Sequence, residues 1–88
     1  MISGAVTQTE HGAYQASIFI DGQQTTRCCP HNHQTERTAQ KCVSELVTRH
    51  RRYFSNATCK VVDDEGLHIV WTIEKDRPVE FRYRLVQA

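Results

Sequence analysis

The chain has 88 residues, a net charge of +1, 39% hydrophobic and 24% charged residues, with four cysteines and five histidines. That length supports one modest core and not two, and the near-neutral total gives no global field toward nucleic acid or a membrane surface. No apolar run reaches the roughly 18–20 residues of a membrane span, and residues 1–12 lack the basic start and apolar centre of a secretory signal. A cytoplasmic setting with reduced thiols is therefore expected, rather than a disulfide scaffold.

Residues 2–9 mix β-branched and small side chains and read as a weak edge strand, or residues 1–11 as an unordered lead. Residues 14–20 alternate cleanly: Tyr14, Ala16, Ile18 and Ile20 share one face. Asp21-Gly22 follows at once, a two-residue hairpin signal, so residues 23–28 return antiparallel as a polar strand. Pro30 has no N–H to donate and ends that pairing.

Residues 35–54 carry the one sustained helical period. Ala39, Cys42, Val43, Leu46, Val47, His50 and Phe54 recur at three- and four-residue steps and form the buried stripe. Thr35 is placed to cap the N-terminus, Glu36 suits its positive dipole end, and Asn56 tolerates a left-handed stop.

Three strand signals come next, at residues 58–63, 67–75 and 79–85. The expected inward sets are Cys59 and Val61; Leu67, Ile69, Trp71 and Ile73; and Val79, Phe81, Tyr83 and Leu85. Asp64-Glu65-Gly66 and Asp76-Arg77-Pro78 are the expected turns. The fold class is α+β: one domain over residues 1–88, an antiparallel sheet of about five strands, built as β-hairpin, one long helix and a three-stranded meander. The single helix packs on one face. A helix is about 10 Å across and strands lie about 4.8 Å apart, so it shelters two or three of them. The apolar remainder calls for another cover, and a second copy of the chain is expected to supply it.

Three chemistries compete for the function. The polar faces and the want of a catalytic set suggest a non-enzymatic interaction module, homodimeric and directed at a protein partner rather than nucleic acid. The alternative is nucleic-acid binding by Arg49, Arg51, Arg52, Arg82 and Arg84 with Tyr53 as a stacking ring, since residues 36–54 hold a local charge of +3. The third lies in the loop 28–33, where Cys28, Cys29, His31 and His33 offer the ligand types of tetrahedral zinc, or a thiol beside an imidazole. No cofactor is expected otherwise. Cys42 and Cys59 read as small buried hydrophobes.

Overall fold

The computed structural model describes residues 1–86. Along them run β1 (Ile2–Gln8), β2 (Tyr14–Ile20), β3 (Gln23–Cys28), α1 (Glu36–Ser55), β4 (Cys59–Val62), β5 (His68–Glu74) and β6 (Arg77–Tyr83). The strands form two antiparallel sheets, ordered β1-β2-β3 and β4-β5-β6. The α+β class and the hairpin–helix–meander order stand; six strands in two sheets replace about five in one.

The added strand is β1, which pairs residue for residue with β2 from Ile2 opposite Ile20 to Gln8 opposite Tyr14. It is neither unordered nor marginal, because its helix-facing positions include Ile2, part of the core. The two sheets meet where Thr25 bridges Leu85, with the Thr26 N–H donating to the Arg84 carbonyl and the Val86 N–H to the Gln24 carbonyl, both at 2.8 Å. That ladder begins only after β6 has ended, so it joins the sheets without merging them.

Local chemistry explains the hairpins and the helix start. Asp21 and Gly22 have φ of 50° and 81°, the left-handed pair a tight two-residue turn requires. The Thr35 hydroxyl accepts from the Thr38 N–H at the helix N-terminus. At the other end Asn56 has φ −94°, so the helix stops without the left-handed residue expected there; the Asn56 N–H instead donates back to the Arg52 carbonyl.

The face of β5 is the main correction. Val70 and Thr72 are buried at 2% and 1% exposure, while Ile73 stands 52% exposed. The turn after β5 is the two residues Lys75 and Asp76, with φ of 50° and 62°, and not Asp76-Arg77-Pro78. A two-residue turn sets Glu74 opposite Arg77, which pairs even-numbered β5 residues with odd-numbered β6 residues. Phe81 and Tyr83 face the helix as expected, and so Val70 and His68 accompany them. Trp71, Ile69 and Ile73 fall on the far face, joined there by Cys59 and Val61 of β4. Cys59 is accordingly exposed, not buried.

The core gathers Ile2, Ala16, Ile18 and Ile20 under Val43, Leu46 and Val47 of the helix, with Val70 and Tyr83 from the second sheet. The helix comes close because Gly4 has no side chain. A Cβ there would lie 2.5 Å from Val47 Cγ2 and 3.1 Å from the Ser17 carbonyl oxygen. The helix rests on β1 and β2 and touches β5 at only a few positions. All four residues of β4 are exposed, Val61 and Val62 included. Among the described residues no helix is long and apolar enough to cross a membrane.

Candidate metal centre

Cys29 lies one residue past the end of β3 yet keeps the sheet pairing. Its N–H donates to the Ala16 carbonyl at 2.9 Å, and the Ala16 N–H donates to its Sγ at 3.3 Å. The side chain is thereby buried and aimed inward. Pro30 then turns the chain away. His33 rejoins the sheet through a bridge to Tyr14, each N–H donating to the other's carbonyl at 2.8 Å. Gln15 Nε2 donates to Asn32 Oδ1 at 3.0 Å and ties down the loop between them. The loop is thus tied to β2 at three places, two through its backbone and one between side chains.

Four donor atoms converge over this loop. Cys29 Sγ lies 3.7 Å from His33 Nε2, and Cys42 Sγ of the helix lies 3.6 Å from His31 Nε2. The His31 and His33 rings meet edge to face, 4.6 Å between centroids. One ligand atom from each of Cys29, His31, His33 and Cys42 lies within 4.8 Å of every other. A zinc tetrahedron with bonds of about 2.3 Å to sulfur and about 2.05 Å to nitrogen has S···N edges of about 3.6 Å. The two closest S···N pairs already have that spacing. The set is two thiols and two imidazoles, and the Ala16 N–H on Cys29 is the kind of outer hydrogen bond that steadies a metal-bound sulfur.

Of the loop residues singled out by type, Cys29, His31 and His33 come together. Cys28 does not, because adjacent strand residues point to opposite faces and Cys28 is the last residue of β3, opposite Ser17. Cys42 takes its place. It is half-buried at the border of the helix's apolar stripe, where the loop folds back onto the helix. The signal in the sequence was ligand type, two thiols and two imidazoles within six residues; Cys42, a short loop and two helical turns downstream, carried none.

Burial pushes the Cys42 thiol above its ordinary pKa, with the neighbouring Cys29 adding to the effect. Burial does the same to Cys28, again reinforced by Cys29. Neither sulfur has the lowered pKa of an activated nucleophile.

The arginines are dispersed. Arg51 Nε donates to the Ile2 carbonyl at 3.0 Å. Arg52 faces Glu74 at 3.4 Å and lies 5.5 Å from the Tyr53 ring, which itself stacks on Phe81 at 4.1 Å between centroids. Arg49 lines an open groove on the outer helix surface with Ser44, Glu45 and Thr48. Arg82 pairs with Glu80 at 2.8 Å, and Arg84 approaches Glu65 at 4.0 Å. In register Arg82 sits opposite Ile69, on the sheet face turned away from the helix. The helix arginines and Arg82 therefore do not share one surface, and among the described residues carboxylates face three of the five.

Comparison with protein families, with characterised proteins and with solved structures finds no match to this chain.

Proposed function

We propose that this is a small zinc-binding interaction module, its ion held by Cys29, His31, His33 and Cys42. The convergence of these four donors within 4.8 Å supports the reading. Four protein ligands fill a tetrahedral ion and leave no position for substrate water, which makes the site structural rather than catalytic. Its work is to pin the loop between β3 and the helix to the second turn of that helix.

The reduced protein is expected to bind one zinc ion per chain. Cobalt in its place should give the visible bands of a tetrahedral thiolate complex. With free zinc about a thousandfold above its dissociation constant, the folded state gains about 4 kcal/mol, read as a raised melting temperature. Cys42→Ser should abolish the cobalt bands, while Cys28→Ser should keep them. Equal loss in both variants, or no metal uptake by the wild type, disposes of the reading.

A second observation bears on what the module binds. The helix leaves β4 exposed along its whole length, and Val61 and Ile73 stand open on the face that also carries Trp71 and Ile69. Exposed sheet edges and apolar strand faces are where further chains add on. A second copy of this chain is the proposed cover, in a homodimer through that part of the second sheet. Light scattering at tens of micromolar should give twice the chain mass, and Val61→Lys should return it to one. A single-chain mass for the wild type removes the dimer. Retention on DNA or RNA at low salt, lost on charge reversal at Arg49 and Arg52, would favour the arginine surface instead.

A further inference from the structure

The metal centre holds two sulfurs of unequal access. Cys29 is buried at the strand end, held by its own N–H and by the Ala16 N–H on its sulfur. Cys42 is half-buried on the helix beside the exposed His31. Their Sγ atoms lie within 4.8 Å of each other. The other two thiols stay out of the cluster: Cys59 is exposed on β4, on the far sheet face with Trp71, and Cys28 points away from its neighbour.

We infer that Cys29 and Cys42 form a redox pair that releases the ion when oxidised by a hydroperoxide. The inference rests on the zinc reading above. In the first step the Cys42 sulfur, a thiolate once the ion is bound and the more accessible of the two, attacks a peroxide oxygen. The O–O bond breaks, Cys42 becomes a sulfenic acid, and hydroxide leaves. In the second step the Cys29 sulfur attacks Cys42 Sγ, the S–S bond forms and a second hydroxide leaves. Two thiolates lose two electrons in all, hydrogen peroxide gains them, and two protons from solvent complete two waters. With both thiolates gone, only His31 and His33 remain as ligands, and two imidazoles do not hold zinc at a four-coordinate site.

The geometry also explains why oxidation would spare the fold. The loop stays pinned to β2 by the Tyr14–His33 bridge and the Gln15–Asn32 hydrogen bond, neither of which involves a sulfur. The new bond would join the end of β3 to the helix at the place the ion had joined them. Metal and disulfide are alternative staples for one junction, and the change delivered to a partner is the release of His31 and His33.

The test uses the Cys28→Ser chain, so that the peptide holding Cys29 carries one thiol. The zinc-loaded protein is exposed to hydrogen peroxide while a chromogenic chelator reports free zinc. Peptides are then mapped without reduction. One zinc per chain should appear in step with a Cys29–Cys42 link and a mass lower by two hydrogens, with Cys59 still open to alkylation and the circular dichroism unchanged. If zinc stays bound at peroxide levels that fully oxidise Cys59, or if the links run through Cys59, the redox pair is refuted while the metal site stands. If the protein binds no zinc before peroxide is added, both fall together.

Discussion

Tyr83→Ala is expected to cost about 3–5 kcal/mol, the range for removing a buried aromatic ring. Tyr83 is 0% exposed and closes the joint between the two sheets. Its ring meets Phe54 of the helix edge-on at 5.2 Å, and the Arg27 guanidinium of β3 lies 5.5 Å from its centroid. Its hydroxyl lies 2.6 Å from His50 Nδ1. One side chain thus links β6, β3 and the helix, where the ladder between the sheets is only a short bridge. Alanine leaves a cavity and strips a buried imidazole of its partner. Tyr83→Phe keeps the ring and should cost only about 1–2 kcal/mol, the penalty for one unpaired buried polar atom. Urea unfolding of the two variants measures both figures. A Tyr83→Ala cost below about 1 kcal/mol would mean that the sheets are not joined here.

The helix was legible because its period and its cap agree. Thr35 precedes a stripe of Ala39, Val43, Leu46, Val47 and His50, all of them buried. The Asp21-Gly22 turn was legible for a similar reason, its residue types matching its backbone demand. β5 was not. Its odd-numbered residues are the more apolar, yet the Lys75-Asp76 turn decides which face turns inward, and neither residue is glycine. Turn length fixed the register against the stronger hydrophobic pattern. That inversion also moved Cys59 and Trp71 to the far face and leaves an apolar strip there beyond the reach of the helix.

The candidate metal centre was half legible for a different reason. Cys29, His31 and His33 are close in sequence, and the loop is short enough to point all three one way. Cys28 has the right chemistry and the wrong strand parity. Cys42 shows the helical spacing of a core residue, and only the fold of the loop over the helix brings it to His31. Neither composition nor spacing contains that approach.

The second large effect is an acid limb of stability carried by His50. The ring is 4% exposed, and burial holds its pKa down to about 4 from an ordinary 6.5, with the charges of Arg27 and Arg49 acting in the same direction. Burial also keeps the Tyr83 hydroxyl protonated well above its usual range, so Tyr83 donates and the neutral His50 Nδ1 accepts. Unfolding restores the ordinary pKa. Between about pH 6.5 and 4 the unfolded chain then binds a proton that the folded chain refuses, and stability falls as the pH falls. The contribution is complete above about 6.5 and lost on reaching about 4; the full shift is worth about 3 kcal/mol. The comparison is with His50→Gln, whose amide still accepts from Tyr83 and binds no proton. The stability advantage of the wild type over His50→Gln should shrink by about 3 kcal/mol between about pH 7.5 and 4. In the wild type the His50 ring proton resonances should stay flat until about pH 5. Should they move with a midpoint near 6.5, the imidazole is not sealed against Tyr83, and the joint between the sheets is open to water.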